Sequence, residues 1–138
     1  MKIPFAISAR TAHLIGMENF ANAEGAIIEL VKNAYDADAD TCVVVADIRE
    51  DNVKSKLFII DNGSGMTDEI IIKHWMTIGT DDKLLNARSS NKKRVKSGAK
   101  GIGRFALNRL GTSAEMLSFA SNEFGKGYVW NVDWKKFD

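Results

Sequence analysis

A two-layer α+β sandwich, with a mixed, mostly antiparallel sheet covered by helices, is the fold class the sequence predicts. Three observations predict it: one strong helical period of apolar residues, and two separate pairs of strand-like runs, each pair divided by a polar or glycine-bearing link. The 138 residues include 45% hydrophobic and 27% charged side chains, with 11 Gly and one Pro, which suits one ordinary domain over residues 1–138 and leaves no room for two.

Asn22 is placed to cap a helix over Ala23 to Asp38, in which Ile27, Leu30, Val31 and Ala34 recur at helical spacing. Thr41 to Ile48 is rich in β-branched residues, as is Leu57 to Ile60, and the polar link between them contains Asp51-Asn52, so the two read as one hairpin. Thr67 caps a second predicted helix through about Ile78, with Asp68 and Glu69 favouring its dipole and Ile70, Ile71, Trp75 and Ile78 expected to face the core. Residues 79–100 lack a sustained apolar period and are long for a loop in a compact domain, so they read as a lid. A short helix from about Ile102 to Leu110 is then expected, ended by Gly111 at a C′ position. Glu115 to Ala120 and Tyr128 to Trp134 complete a second hairpin across a link holding Gly125 and Gly127.

Composition excludes several functions. Nineteen Lys plus Arg against 18 Asp plus Glu give a net charge of +1, so global charge selects neither nucleic acid nor an anionic membrane. No uncharged run approaches the roughly 20 residues of a membrane helix, and Met1 to Ala6 does not resemble a secretory leader, so a chain neither exported nor membrane-spanning is expected. The lone Cys42 rules out an intrachain disulfide and any zinc site built from several thiolates; it fits a reducing interior, with cytoplasm as the default.

Three clusters carry candidate chemistry. Glu29, Asn33 and Asp36, spaced by four and three, fall on one narrow face of the first helix, opposite the apolar positions. Such a triplet is ordinarily a solvated polar face. It also has the chemistry for a carboxylate that deprotonates water, an amide oxygen that completes a phosphate-bound Mg²⁺ shell, and a second carboxylate that holds waters or backbone. The second cluster, Asp61-Asn62-Gly63-Ser64-Gly65-Met66, follows an apolar strand. Asp-Asn-Gly is a common turn, but a carboxylate at the end of a buried strand is costly unpaired and a purine amino group would satisfy it. Gly63 and Gly65 would admit a flat ring, with Met66 as a soft apolar surface.

The third cluster is Ser97-Gly98-Ala99-Lys100-Gly101-Ile102-Gly103-Arg104-Phe105, where glycines lead into a helix and leave backbone N–H groups open to phosphate. It is neither a P-loop nor a dinucleotide-binding turn, since no Lys-Ser or Lys-Thr pair follows and no strand precedes it. From Lys83 to Arg104 the chain carries eight Lys and Arg residues and no acid after Lys83. A solvated basic loop is the ordinary reading; without aromatic residues before Phe105, triphosphate attraction explains the charge better than a dedicated nucleic-acid site.

In order and setting, Glu29-xxx-Asn33-xx-Asp36-Ala37, Asp61-x-Gly63-x-Gly65-Met66 and Gly98-xx-Gly101-x-Gly103 resemble the GHKL ATPases. That family, with its Bergerat fold, includes the DNA gyrase B subunit, MutL mismatch-repair proteins, the ninety-kilodalton heat-shock chaperones, microrchidia proteins and sensor histidine kinases. The resemblance implies Glu29 as general base, Asn33 as Mg²⁺ ligand, Asp61 as acceptor of the adenine amino group and Asp36 as a pocket-lining acid. It further implies Gly63, Gly65 and Met66 at the adenine floor, Ile78, Gly79 and Thr80 beside the pocket, and Lys100, Gly101, Ile102, Gly103, Arg104 and Phe105 around the phosphates. ATP or ADP with Mg is the implied ligand set, and lid closure in the family commonly promotes dimerisation.

Glu29 resembles the hydrolysing branches, because sensor kinases commonly lack a water-activating Glu there; neither His13 nor His74 lies in a recognisable dimerisation helix pair. Two alternatives remain: a module that binds nucleotide or DNA without turnover, and a histidine-kinase-type phosphotransferase. Family domains normally continue with further strands, one bearing an adenine-holding Thr, and with an adjoining domain whose Lys or Arg reaches the γ-phosphate. The chain therefore reads as an N-terminal fragment whose downstream domain would complete the site, the alternative being a sheet completed by another copy or a partner.

Overall fold

Asn22, in extended geometry, opens helix α1 (Ala23–Asp36), and its side-chain oxygen accepts the Gly25 N–H at 2.9 Å. One of the donors that every helix start leaves unpaired is thereby satisfied. The computed structural model describes residues 17–76, 88–97 and 103–137, together with Thr11 and Leu14.

Helix α1 ends two residues before the end its sequence predicts. The Asp38 N–H donates to the Tyr35 carbonyl (3.1 Å) and the Ala39 N–H to the Ala34 carbonyl (3.0 Å), the paired bonds of a helix end followed by a left-handed residue. That residue is Asp38, at φ 65°, where glycine or asparagine would be less strained.

The buried stripe of α1 is Ala26, Leu30 and Ala34, whereas Ile27 is half-buried and Val31 is exposed. At about 100° per residue this stripe lies roughly a quarter-turn from Glu29, Asn33 and Asp36, not opposite them as expected. All three polar residues are accordingly half-buried, which corrects the reading of a solvated face.

Small residues let α1 meet the third helix closely. Ala26 and Ala106 are fully buried where α1 faces α3 (Ala106–Leu110), which is entered through a 3₁₀ turn, Gly103–Phe105. Phe20, Leu30 and Phe105 fill the space around them, with Ile59, Leu107 and Leu110 packed against the cluster. Each large side chain buried there stabilises the fold by about 1.5–3 kcal/mol. Gly111 stops α3 as expected, but in extended geometry (φ −167°), so it uses none of glycine's left-handed freedom.

Strand β1 (Cys42–Asp47) pairs antiparallel with β2 (Lys56–Asp61), Cys42 facing Asp61 and Asp47 facing Lys56. Strands β3 (Ser113–Ser118) and β4 (Tyr128–Asp133) pair likewise, Ser113 facing Asp133 and Ser118 facing Tyr128. The α+β class is as expected, and among the described residues the strands pair within two hairpins, every pair antiparallel. Residues 62–66 link the end of α1 to the second hairpin. The Ser64 N–H donates to the Ala37 carbonyl and the Ser121 N–H to the Ser64 carbonyl, both at 2.8 Å, while the Met66 N–H donates to Ser118 Oγ at 2.7 Å. Strand β2 is not buried on both faces, since Phe58 and Ile60 are exposed.

Helix α2 (Asp68–Ile70) is capped by Thr67, whose Oγ1 accepts the Ile70 N–H at 3.3 Å. It continues only as a π turn, Ile71–Trp75, closed by the Met76 N–H on the Ile71 carbonyl at 2.8 Å. Ile71 is buried and Trp75 half-buried as expected, Ile70 is exposed, and Ile78 lies outside the described residues. Of the stretch read as a lid, residues 88–97 are described, and Arg88 and Val95 form an antiparallel bridge within them.

Gly65 is the backbone joint most sensitive to substitution. Its φ is +67°, and a Cβ there would collide with the Phe119 carbonyl. Gly65→Ala is expected to lower unfolding free energy by about 2–4 kcal/mol through left-handed strain plus overpacking. Urea denaturation measures this, and a loss below about 0.5 kcal/mol, the range of an ordinary surface change, would contradict it.

Candidate functional site

The polar stripe of α1 is the floor on which the other segments converge. Gly103 faces it: a Cβ at that position would sit 3.5 Å from both Asn33 amide atoms and 3.8 Å from Glu29 Oε2. Glu29 Oε1 accepts from Lys32 Nζ at 2.7 Å, a partly exposed pair worth at most about 1 kcal/mol. Its other carboxylate oxygen points toward the glycine. About two turns beyond Glu29, Asp36 Oδ1 accepts the Ser97 N–H at 2.8 Å and the Ser97 hydroxyl at 3.2 Å. Both described ends of the glycine-rich segment, Ser97 and Gly103, therefore meet the same helix face.

The Asp61 loop packs against the end of that helix. A Cβ on Gly63 would lie 2.7 Å from the Ala37 carbonyl oxygen and 2.9 Å from Asp61 Oδ1, so glycine is what permits the approach. Asp61 Oδ1 accepts the Gly63 N–H at 2.8 Å, and Asp61 itself is exposed; the expected buried, unpaired carboxylate is replaced by one held in a local turn. Asn62 has a task the sequence reading missed. Its Oδ1 accepts the N–H groups of Asp40 and Thr41, each at 2.9 Å, tying the loop to the start of β1. Met66 is half-buried beside Ser118.

The basic stretch, exposed at seven of its ten described residues, is nonetheless tied to the end of α1. The turn N–H groups of Asn91 and Lys92 donate to the Asp38 carboxylate at 2.8 and 3.2 Å, and Ser89 hydrogen-bonds the same group. Lys92 Nζ pairs with Asp40 Oδ1, and Arg94 Nη2 lies 3.8 Å from the same oxygen. Arg94 Nη1 donates to the carbonyls of Ala39 (2.7 Å) and Tyr35 (3.3 Å), and its guanidinium lies 4.8 Å from the centre of the Tyr35 ring. Helix α1 has no basic residue in its own last turn, so Arg94 supplies the cation its C-terminal dipole favours.

Arg104 and Phe105, expected at the phosphates, send their side chains elsewhere. Arg104 Nη1 donates to the His74 carbonyl at 2.6 Å and also to that of Trp75, above whose ring it lies, and burial pulls its pKa down from the usual guanidinium value. Phe105 belongs to the α1–α3 core. Ile78, Gly79, Thr80, Lys100, Gly101 and Ile102 lie outside the described residues.

Asp38 is the most constrained acid of the set. It is 7% exposed, and its hydrogen bond with Ser89, those from Asn91 and Lys92, and the Arg94 charge hold its carboxyl below the usual range despite burial. Asp40, three-quarters exposed, is lowered by Lys92. The repeated Asp36-Ala37-Asp38-Ala39-Asp40 was a legible signal for this grip, although only Asp36 was singled out.

The chain belongs to the histidine kinase-, DNA gyrase B- and HSP90-like ATPase family, whose model matches residues 21–137. The match takes in the helix, the Asp61 loop and the glycine-rich segment alike, and it supports an ATP-binding module of the GHKL type. No curated protein matches the chain. Among the described residues no helix is long and apolar enough to cross a membrane.

The buried acid makes stability depend on pH in a defined direction. A carboxyl held below its unfolded value of about 3.9 contributes stability that is complete above that value and is lost as pH falls toward the folded one. The gap in urea midpoint between the wild-type chain and Asp38→Asn should therefore narrow as pH is lowered from about 6 to about 3. A constant gap would contradict the assignment.

Proposed function

We propose that the chain binds ATP with Mg²⁺, hydrolyses it, and uses nucleotide-dependent movement of the 79–100 lid as a switch. The observation that supports this reading is the convergence on one helix: Gly103 beside Glu29 and Asn33, Ser97 on Asp36, and Gly63 on Ala37. Three sequence motifs far apart in the chain thus share one floor.

The donor set fits a hard cation. Asn33 offers a neutral amide oxygen one turn from the Glu29 carboxylate, and hard oxygen donors of this kind suit Mg²⁺. Among the described residues no three His, Cys, Asp or Glu side chains cluster into a metal cage, so phosphate and water would supply the other ligands. Bound with the nucleotide, the ion would offset phosphate charge. Asn33 would hold it. The Asp61 carboxylate would accept the adenine amino N–H, its orientation fixed by the Gly63 N–H. Glu29 would orient a water and take its proton as the water oxygen bonds to the γ-phosphorus and the bond to the bridging oxygen breaks, releasing ADP and phosphate. Catalysis of this kind rests on positioning and on fixed dipoles at the developing charge.

Lid closure would promote dimerisation, a downstream domain would reach the γ-phosphate, and the lone Cys42 favours a cytoplasmic setting. DNA is a weaker partner for the basic stretch, because Lys92, Arg94 and Arg104 are engaged within the chain. Phosphotransfer to a histidine is disfavoured by a carboxylate at position 29.

Calorimetry with ATP, with and without Mg²⁺, tests the binding step; Mg²⁺-dependent affinity is expected, and none at millimolar nucleotide in a folded sample would sink the reading. Glu29→Gln should leave ATP affinity nearly unchanged and slow phosphate release by about 10²–10⁴-fold. Loss of binding instead would contradict the role of Glu29. Asp61→Asn should weaken ATP by about tenfold or more, the worth of one hydrogen bond to a charged acceptor.

A further inference from the structure

The two oxygens of the Glu29 carboxylate have different surroundings. Oε1 accepts from Lys32 Nζ at 2.7 Å, from one turn further along the same helix face. Oε2 faces the space that glycine leaves at position 103, where a Cβ would lie 3.8 Å from it and 3.5 Å from both amide atoms of Asn33. One oxygen is thus held by an ammonium, while the other is turned to a spot that the Asn33 amide also borders. The last torsion of a glutamate side chain is broad when nothing holds it, so an unheld carboxylate would sweep both oxygens past that spot. Lys32 and Glu29 are both half-buried, and the contact between them narrows the sweep.

We propose that Lys32 is a positioning residue for hydrolysis: by holding Oε1 it presents Oε2 to the attacking water. This rests on the ATP-hydrolysing reading above. In that step Oε2 receives the proton of the water, the water oxygen bonds to the γ-phosphorus, the bond from phosphorus to the bridging oxygen breaks, and ADP leaves. Lys32 forms and breaks no bond in it. Its contribution is to the aim of the base, and aim governs the rate of a proton transfer far more than it governs how tightly the nucleotide is held.

Four forms of the full chain test this, wild type, Lys32→Met, Glu29→Gln and the double variant, each followed by phosphate release and by calorimetry with Mg-ATP. Lys32→Met keeps the aliphatic stem and removes the ammonium. It is expected to lower kcat by about fivefold, the hold of one partly exposed ion pair, while Mg-ATP affinity stays within about twofold. In the Glu29→Gln background the same substitution should change the residual rate by less than about twofold, because no base remains to be aimed. Lys32→Arg, which keeps a charged donor, should return kcat to within about twofold of wild type. In the ligand-free chain the carboxylate carbon signal of Glu29 should move when Lys32 is replaced by Met. An unchanged kcat, a loss of affinity as large as the loss of rate, an equal loss of rate in the absence of Glu29, no recovery with Arg, or a Glu29 signal that stays in place overturns the proposal. A wild-type chain that binds Mg-ATP without releasing phosphate, or whose rate survives Glu29→Gln, defeats the hydrolysing reading and this proposal with it, which separates the two failures.

Discussion

Helix α1 carries its polar stripe only about a quarter-turn from its buried stripe, and the architecture around it follows from that adjacency. A stripe so close to the core cannot be wholly solvated, yet Glu29, Asn33 and Asp36 cannot be buried without partners. The chain answers by bringing polar backbone over the stripe: the Ser97 N–H at one end and Gly103 at the other. The small residues Ala26 and Ala106 serve the same arrangement from below, because they bring α3 close enough for Gly103, at its entry, to face Asn33.

Charge is distributed by the same logic. Of the cations that look like a phosphate-attracting patch in the sequence, Arg94 completes a helix C-terminus, Lys92 pairs with Asp40, and Arg104 holds the carbonyls at the end of the π turn. Fixed cations at these points stiffen the frame around the polar face. Under the proposed function, phosphate recognition would then fall to groups other than these side chains, such as a cation held by Asn33.

Much of this was legible in the chain. The Asn22 cap, the α1 period, both hairpins and the Thr67 cap follow from local chemistry: a short side chain that satisfies helix-end donors, and alternation of β-branched residues. The three motifs were legible too, since each couples a residue type to one element. What local pattern does not reveal is which neighbour fills a glycine's missing side chain. Gly63 and Gly65 look like room for a ligand, and they are instead where Ala37 and Phe119 press in. Nor does periodicity separate Val31 from Ala26 as the core residue, because both are apolar and the choice is made by α3 across the interface. The roles of Asp38, Asp40 and Arg94 depend on contacts more than 50 positions apart in the chain, and no window of sequence contains both partners.

The proposed function puts adenine at the Asp61 loop and phosphate at the Gly103 end of one site floored by α1. Backbone amide chemical shifts recorded while Mg-ATP is added test it most directly. The account predicts that Gly63 and Gly103 shift together with a single dissociation constant, and that the Asn33 side-chain amide moves with them only when Mg²⁺ is present. Shifts at Gly63 and Gly103 that saturate at different nucleotide concentrations, or at one glycine and not the other, would contradict a shared site.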